Sequence, residues 1–358
     1  MIKTFRKDLL LIVAVAAVFL SLSYAIGFVT DRAPKTVELP TAFLSGERAP
    51  KPQPTTARVG RKPAFEKTAV LSSTTLKAPA KMEANSGNIF VLDWSDLRVK
   101  QFSPDGKLLK TFGEEIGNPG AFVNPTGFTL DSGGNLWVCD IKQRRIEVFN
   151  TDGTRRTINP QNTPYRLAAI GDKMISMDTP LNDKLFETYD LSGQRLNYFG
   201  ELLEDQANKG IILDGDIVTG ADNQTIIYGG RYLGVLGAYD ADGKQRFLVH
   251  TIDNVPQPPV LDVKLDIEGK KRKIKPDTTN AVLSLSVVDK ELYILSGVHS
   301  DGSAGFGGKV IDVYDKQDGH YLYSWELPTE GQEALVSSNY VYIRNNGEVT
   351  VWSFKSDT

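Results

Sequence analysis

The chain has 358 residues and a net charge of −3, and its apolar content of 41% is sufficient for a large buried core. Residues 1–64 carry ten Lys or Arg and four Asp or Glu, a net charge of +6 that leaves −9 for residues 65–358. An acidic body argues against a surface that binds nucleic acid. The single cysteine, Cys139, excludes an intrachain disulfide and a Cys-rich metal site.

Residues 9–29 form an uncharged apolar run, LLLIVAVAAVFLSLSYAIGFV, that follows three basic residues. A helix of this length crosses a hydrocarbon layer of about 30 Å, and the preceding positive charges favour a cytoplasmic N-terminus. We predict that residues 1–29 are a signal anchor with a transmembrane helix in the cytoplasmic membrane, which places the rest of the chain on the extracytoplasmic, or periplasmic, side. The alternative is a signal peptide that is cleaved near Ala25 and yields a secreted protein.

Residues 30–64 contain six prolines, several basic residues and few large apolar ones. Such a segment buries too little apolar surface to offset its ordering entropy, so we predict a disordered, Pro-rich basic linker. Contact of its basic charges with anionic lipid or cell-wall polymer is the alternative.

From residue 65 onwards one pattern recurs: an apolar strand, a gap, a second strand that ends in an aromatic residue, and a Gly-containing turn. It is clearest in NIFVLDWSDLRVKQFSPDGK and NLWVCDIKQRRIEVFNTDGT, and six copies start at residues 88, 135, 173, 224, 291 and 339. A further apolar run precedes each copy, and another strand follows the turn in the first five. Four-stranded units of this kind bury one another's faces when they pack around an axis. The pattern predicts an all-β, six-bladed β-propeller over residues 65–358.

The last copy ends after its third strand, at about Phe354. The stretch FEKTAVL, residues 65–71, has the length and pattern of the missing fourth strand. We therefore predict that it pairs outside the strand Glu348–Phe354, because this pairing joins the two ends of the propeller and stabilises the closed ring.

The two clearest copies resemble the NHL repeat, which belongs to the TolB-like propeller superfamily. In this repeat an apolar strand ends in Asp and an Arg opens the next strand, as Asp93 with Arg98 and Asp140 with Arg145 do here. The third copy is a looser match, and copies four to six lack both residues. The resemblance implies a six-bladed propeller, and we expect each Asp–Arg pair to form a buried ion pair that fixes its hairpin.

The NHL family does not imply one function. Many members are protein-binding platforms or extracellular sensor domains. Relatives of the same shape include lactonase-like hydrolases with calcium in the central channel and amidating lyases with His-bound zinc. Some intracellular members bind RNA, a function that the export segment and the acidic body disfavour.

Propeller geometry collects two sets of loops on one face: those between the two middle strands and those leading into each innermost strand. Ligands of propellers usually bind there, at the mouth of the channel. The predicted ligand-binding residues near this rim are Trp94, Tyr165, Arg166, Arg231, Tyr232, His299 and Arg344. Trp, Tyr and Arg are the residue types that contribute most binding energy when they are buried at an interface.

The sequence provides no strong signature of catalysis or of a metal. His250, His299 and His320 lack the spacing of a zinc site, and neither a G-x-S-x-G elbow nor a Walker sequence is present. We therefore predict no catalytic residue, metal or cofactor. A calcium ion in the channel is the alternative, with oxygen ligands from Asn118, Asn124, Asp214, Asp216, Asp222 and Asp277.

Two long insertions interrupt the pattern. Residues 253–280 alternate apolar and charged side chains around a Glu268-Gly269 turn, which predicts an extra hairpin with a lysine-rich edge. The lysines either keep an edge strand soluble or form an arm for an acidic partner or a lipid surface. Residues 300–309, SDGSAGFGGK, are predicted to form a flexible hairpin loop, or a flap over the channel mouth.

These patterns favour a membrane-anchored, non-catalytic binding, sensing or scaffold module for a protein, peptide or glycan. The alternative is a metal-dependent propeller enzyme, either a lactonase-like hydrolase or a lyase.

Overall fold

The computed structural model describes residues 35–39, 42–71, 74–178, 184–204, 212–220, 224–253, 257–258, 261–265, 271–276, 280–298 and 307–355. Within these ranges no helix combines the length and the apolar composition needed to cross a membrane. The predicted transmembrane helix, residues 9–29, lies outside the described residues.

The secondary structure is almost entirely β. The first fourteen strands are β1 (Lys35–Leu39), β2 (Gly60–Arg61), β3 (Ala64–Val70), β4 (Pro79–Asn85), β5 (Asn88–Asp93), β6 (Arg98–Phe102), β7 (Leu108–Phe112), β8 (Pro125–Leu130), β9 (Leu136–Asp140), β10 (Arg145–Phe149), β11 (Arg155–Ile158), β12 (Pro164–Ile170), β13 (Lys173–Asp178) and β14 (Phe186–Asp190). The remaining strands are β15 (Arg195–Phe199), β16 (Gly215–Thr219), β17 (Thr225–Gly230), β18 (Val235–Asp240), β19 (Gln245–His250), β20 (Leu261–Leu265), β21 (Lys271–Pro276), β22 (Val282–Val288), β23 (Glu291–Ser296), β24 (Gly308–Asp315), β25 (Tyr321–Gly331), β26 (Glu333–Val336), β27 (Tyr340–Asn345) and β28 (Glu348–Lys355).

Six antiparallel sheets form the blades of a propeller, which confirms the predicted all-β fold. Blades 1 to 4 are β4–β7, β8–β11, β12–β15 and β16–β19, blade 5 is β22–β25, and blade 6 is β26, β27, β28 and β3. The innermost strands contact one another in the order β4, β8, β12, β16, β22, β26 and back to β4. They therefore surround a central channel.

Strand β3 closes the ring. It pairs antiparallel with β28, with Phe65 opposite Phe354 and Val70 opposite Thr350. The N-terminal stretch thus supplies the fourth strand of the last blade, and the closure predicted for residues 65–71 is confirmed.

Apolar side chains fill the spaces between adjacent blades. Each middle strand is covered on both faces, so its sequence is a nearly continuous apolar run, as in NIFVLD of β5. Between blades 3 and 4 the packing is aromatic, because Phe186 and Phe199 meet Tyr239, with ring centroids 5.5 and 5.6 Å apart. Adjacent blades therefore cover one another's apolar faces.

The predicted tight turns between third and fourth strands are present. Their glycines have φ values between +74° and +94°, a region that side chains rarely adopt, and they are Gly106, Gly153, Gly193, Gly243 and Gly319. This explains why the repeat carries glycine at this position.

Residues 42–63, which we call the strap, do not form a free tether. Leu44 donates its N–H to the carbonyl of Leu202 at 3.1 Å, and Lys51 forms a parallel bridge with Val249 of blade 4. The prediction of a disordered linker is wrong for this segment, because the outer edges of the blades satisfy its backbone groups.

Further along, the strap reaches blade 5. Strand β2 pairs in parallel with the outer strand β25, and Arg61 stacks on the ring of Tyr323 at 3.5 Å. The side chain of Gln53 donates to the carbonyls of His250 and Gly319, both at 2.9 Å. The strap therefore links blades 4 and 5 before the chain enters blade 6 as β3.

The expected Asp–Arg ion pairs do not form, and the aspartates have another role. Asp140 accepts hydrogen bonds from the N–H groups of Val123 and Asn124, in the loop that leads into its own blade. Arg145 instead pairs with Glu147 at 3.0 Å. A strand-end Asp can accept several N–H bonds at once, so Asp140 fixes this entering loop and also the hairpin loop, from which the N–H groups of Lys142 and Gln143 donate to it.

Strands β1, β20 and β21 belong to a second compact unit. Strands β20 and β21 form the hairpin predicted for the insertion, and β1 adds to β20 as a third antiparallel strand. The extra hairpin is confirmed, whereas the strand at Lys35–Leu39 falls in the predicted linker and was not expected.

The innermost strands all run in one direction through the propeller. We call the face where they begin the upper face; it carries the loops between second and third strands. The lower face carries the turns between first and second strands. Early positions of an innermost strand therefore lie near the upper mouth of the channel, and late positions near the lower mouth.

Candidate functional site

An ion pair crosses the central channel. Lys81 lies on β4 of blade 1 and Asp216 on β16 of blade 4, and the Lys81 Nζ is 2.6 Å from Asp216 Oδ2. The two side chains are only 16% and 8% exposed. Blades 1 and 4 face each other in a six-membered ring, so this contact braces the channel across its width.

Blade 6 contributes a second carboxylate to the same group. Glu333 Oε1 accepts a hydrogen bond from the N–H of Met82 at 3.0 Å and lies 3.8 Å from Lys81 Nζ. Its other oxygen accepts from Arg344 Nε at 3.0 Å. We call Lys81, Arg166, Asp216, Glu333 and Arg344 the channel cluster.

Neighbouring opposite charges keep Lys81 and Asp216 of the channel cluster in their ionised forms. Burial opposes the charged form of Lys81, but the carboxylates of Asp216 and Glu333 outweigh it and raise its pKa. Burial also opposes ionisation of Asp216, yet Lys81 and Arg166 hold its pKa below the ordinary value. Both side chains therefore remain charged at neutral pH.

Arg166 connects the channel cluster to the upper mouth. Its guanidinium lies 3.9 Å from the centre of the Tyr165 ring, and Nη1 donates to the carbonyl of Thr126 at 2.7 Å. Its Nε is 3.9 Å from Asp216 Oδ1. These contacts fix the planar guanidinium in one orientation between blades 2, 3 and 4.

A second charged group lies beside it on blade 4. Arg231 Nε is 3.1 Å from Asp214 Oδ2, and the Arg231 N–H donates to the carbonyl of Asp214 at 2.8 Å. Burial and the Asp214 carboxylate raise the pKa of Tyr232. Burial raises the pKa of Tyr165, and the Asp214 carboxylate adds to this effect.

Exposed apolar side chains occur on the upper loops of blades 1 and 2. They are Trp94, Ile116 and Val123, which are 56%, 62% and 52% exposed. The Trp94 Nε1–H donates to the carbonyl of Pro125 at 3.2 Å, so the indole is held in place although half of it faces solvent. Arg145 and Gln143 bond the carbonyls of Gly120 and Ala121 and fix the loop that carries Ile116 and Val123.

The structure brings most of the predicted rim residues together. Tyr165, Arg166, Arg231 and Tyr232 gather around Asp214 and Asp216, and Arg344 joins them through Glu333. Trp94 lies apart from this group, next to Pro125 on the same face. His299 lies outside the described residues.

Of the charged residues on the innermost strands, the sequence analysis predicted Arg166 as a site residue and considered Asp216 only as a calcium ligand, but it missed Lys81, Glu83 and Glu333. Lys81 and Glu83 alternate with Ala80, Met82 and Ala84 in β4, and Glu333 opens β26. Charges inside an otherwise apolar innermost strand are costly unless they meet across the channel. This alternation is the signal that could have found them.

The space between the carboxylates of Asp216 and Glu333 does not fit a calcium ion. An ammonium group, that of Lys81, already lies between the carboxylates of Asp216 and Glu333. The described residues contain no group of three or more His, Cys, Asp or Glu side chains that could hold a metal. Of the other proposed oxygen ligands, Asp222 and Asp277 lie outside the described residues.

Two of the three histidines lie away from the channel. His250 is at the end of the outer strand β19, where its ring meets that of Phe43 at 5.4 Å. His320 follows a turn between third and fourth strands and contacts Asp318 at 2.6 Å. Both are at the periphery of their blades and have structural contacts.

No family model matches the sequence. A local similarity exists to the human NHL repeat-containing protein 3, with 35% identity over 71 residues. The match spans 19% of this chain and 20% of that protein, so only about a fifth of the relative is covered.

Solved structures with the same fold cover most of the chain. Virginiamycin B lyase from Staphylococcus aureus has a TM-score of 0.52 and 13% identity over 82% of this chain and 99% of that chain. A DUF4221 family member from Bacteroides vulgatus has a TM-score of 0.50 and 11% identity over 90% and 98% of the two chains. At these identities only the fold is shared. The chain is thus a six-bladed β-propeller, and the local match to the human protein supports the NHL type of its repeats.

Proposed function

We propose that this protein is a non-catalytic binding or scaffold module that recognises a protein, peptide or glycan through its upper face. It would act outside the cytoplasmic membrane, anchored by residues 9–29. Secretion after cleavage near Ala25 is the alternative location.

The observation that carries this proposal is the exposed apolar surface on rigid upper loops. Trp94, Ile116 and Val123 are each more than half exposed, and hydrogen bonds from Arg145 and Gln143 fix the loop between blades 1 and 2. Apolar side chains that stay in water on a fixed frame are typical of interfaces, since little entropy is lost when a partner covers them.

The polar part of the same face complements this surface. Arg166 and Arg231 are held by carboxylates and ring contacts beside the channel mouth. Arginines oriented in this way offer hydrogen-bond donors to carbonyl or hydroxyl groups of a partner without a large ordering cost. A protein or peptide with an apolar anchor suits the combination, and a glycan would stack on Trp94.

The test is capture of partners from solubilised membranes with the full-length protein. The double variant Trp94→Ala, Arg231→Ala should lose the partner that the wild-type protein retains. The control, Leu196→Ala, removes a side chain that is 49% exposed on the outer strand β15 and should retain it. Equal capture by wild type and double variant would contradict the proposal.

A metal-dependent propeller enzyme is the competing function. Elemental analysis of the purified protein separates the two, together with a thermal melt in chelator. A stoichiometric metal, a large loss of stability on chelation and turnover of a lactone or ester library would replace the binding function with the enzyme.

A further inference from the structure

The lower half of the channel is a chamber with a volume of about 510 Å³. It is lined by the later residues of innermost strands, from Met82 to Asn85 on β4 and from Phe128 to Leu130 on β8, with matching positions on the other blades. Cavities that bind small molecules commonly have volumes of about 300–1,000 Å³. We call this space the lower chamber.

The exposed lining of the lower chamber is more polar than apolar, but aliphatic side chains also lie along its walls. They include Leu130, Leu167, Ile217, Val218, Leu285, Val287 and Leu335. The mouth on the lower face carries small polar residues, namely Asn85, Ser132, Ser337 and Ser338. An apolar body of a few carbon atoms therefore fits against the walls, whereas a folded partner does not enter a space of this size.

Four charged side chains line the chamber: Lys81 and Glu83 on its wall, and Asp131 and Asp289 at its lower mouth. Lys81 and Glu83 differ in their partners. The ammonium of Lys81 is neutralised by Asp216 and Glu333. Glu83 Oε1 accepts hydrogen bonds from Thr129 Oγ1 at 2.9 Å and from the N–H of Leu130 at 3.3 Å. Within the described residues no Lys, Arg or His lies within ion-pair distance of Glu83.

The environment of Glu83 disfavours its charged form. Burial raises its pKa to about 7, and the two hydrogen bonds and Lys81 offset only part of this effect. The other nearby charge, on Asp216, also raises it. At the lower mouth, Asp131 is bonded within its own turn by Asn135 and Trp137. A buried carboxyl group of this kind is stabilised in its ionised form when a cation binds beside it.

We propose that the lower chamber binds a small organic cation, with an ammonium head at Glu83 and a short apolar body against the aliphatic side chains of the walls. Binding of an anion is disfavoured because Lys81 already forms ion pairs with Asp216 and Glu333. This site lies on the opposite side of the channel cluster from the rim and is independent of the binding function proposed above.

The affinity of the chamber for such a cation depends on pH. The bound cation pairs with ionised Glu83, so binding releases a proton when the carboxyl group starts out protonated. With a pKa of about 7, the ionised fraction rises about tenfold between pH 6 and pH 8. The ammonium ligand should therefore bind about tenfold more tightly at pH 8 than at pH 6.

The experiment uses the full-length protein with n-hexylammonium and, as a neutral analogue, 1-hexanol, in calorimetric or NMR titrations. Hexylammonium should bind at least tenfold more tightly than hexanol at pH 8, and Glu83→Gln should abolish this difference. The control, Glu115→Gln, removes a carboxylate that is 76% exposed on the upper face and should change neither affinity. Equal affinities for the two probes in the wild-type protein would overturn the proposal.

A second measurement does not depend on the folding of a variant. A diazirine-bearing alkylamine, photolysed with the wild-type protein, should label β4, β8 or β22 at residues that line the chamber. Excess hexylammonium should suppress this labelling. Labels confined to the upper face or to outer strands would also overturn the proposal.

Discussion

Blades 2 and 5 stabilise the same position in the repeat with different chemistry. The second strand of blade 2 ends in Asp140, which lies opposite Pro125 of the innermost strand. The second strand of blade 5 ends in Ser296, which lies opposite Val282. Asp140 accepts hydrogen bonds from the loop that enters its own blade, whereas Ser296 donates to Asp253 at 2.9 Å.

The two blades differ in how far along the sequence the hydrogen-bond donors to their buried carboxylates lie. All donors to Asp140 are within 17 residues of it. In blade 5 the carboxylates of Asp253 and Asp312 are bonded by Arg58 of the strap, which is 254 residues away from Asp312. The blade that has lost the repeat's aspartate therefore depends on a distant segment of the chain for its stability.

The largest effect is expected for Asp140→Ala in blade 2. This change leaves the N–H groups of Val123, Asn124, Lys142 and Gln143 without their acceptor, and we expect a loss of about 4 kcal/mol in the free energy of unfolding. Urea denaturation gives the value. Asp140→Asn, which keeps one acceptor oxygen, should lose less; equal losses would show that the N–H bonds are not the cause.

Removal of the strap's contribution to blade 5 should have the next largest effect. Arg58→Met leaves Asp312 and Asp253, which are 1% and 3% exposed, without their cation, and should cost about 3 kcal/mol. The matched control within the strap is Arg48→Met, whose pair with Glu201 is largely exposed and should be worth less than about 0.5 kcal/mol. Similar losses for the two variants would mean that blade 5 does not rely on the Arg58 contact.

Asp253, which accepts the hydrogen bond of Ser296 beside blade 5, and Asp93, the strand-end aspartate of blade 1, should respond to acid in opposite ways. Burial, then the Asp312 charge, raise the pKa of Asp253 to about 6, above the unfolded value of about 3.9. The folded state then binds more protons than the unfolded state between about pH 4 and pH 6, so this group lowers stability as pH rises through that range.

In blade 1, Asp93 is also buried, but bonds from Lys100 and backbone N–H groups hold its pKa well below the ordinary value. Ionised Asp93 therefore adds to the free energy of unfolding above about pH 4, and this stabilisation is lost as the pH falls below that value.

The variant Asp253→Asn removes the titrating carboxyl group and so isolates the pH-dependent contribution of Asp253 to stability. The difference in the free energy of unfolding between wild type and variant should change by about 2 kcal/mol from pH 4 to pH 7, in favour of the variant at the higher pH. Denaturation curves at several pH values measure it. A difference that is constant with pH would contradict the raised pKa of Asp253.

The smallest effect is expected for Ser296→Ala. It removes the bond to Asp253 and the acceptor for the N–H of Val298 at 3.0 Å, and should cost about 1 kcal/mol. Ser192→Ala, in an exposed turn of blade 3, is the control and should stay within about 0.5 kcal/mol of wild type. A loss at Ser296 as large as that at Asp140 would remove the distinction between the two blades.

The local features of the fold could be predicted from sequence because they depend on neighbours in the chain. Apolar alternation and the glycine turns define the four strands of each blade, and the motif of FEKTAVL was sufficient to predict the closure by β3. The strap could not be predicted in this way. Its prolines and polar residues lack a period, and a single arginine such as Arg58 does not reveal a partner far along the chain.

The candidate site was predictable in part for the same reason. Tyr165, at the start of an innermost strand, and Arg231, in a loop after a second strand, could be placed on the upper face from their positions within the repeat. Lys81, Glu83 and Glu333 are stabilised by partners on other blades, so their role appears only when the ring brings the innermost strands together.

The position of the strap also determines how the ring would respond to mechanical load. A pulling force applied at residue 42 would reach the contacts at Leu44, Lys51 and Arg58 before it reached β3. Those contacts would have to rupture first, and the seam between β3 and β28 would bear tension only afterwards. The strap, which precedes the closing strand β3 in the chain, thus also protects the pairing of β3 with β28 from tension.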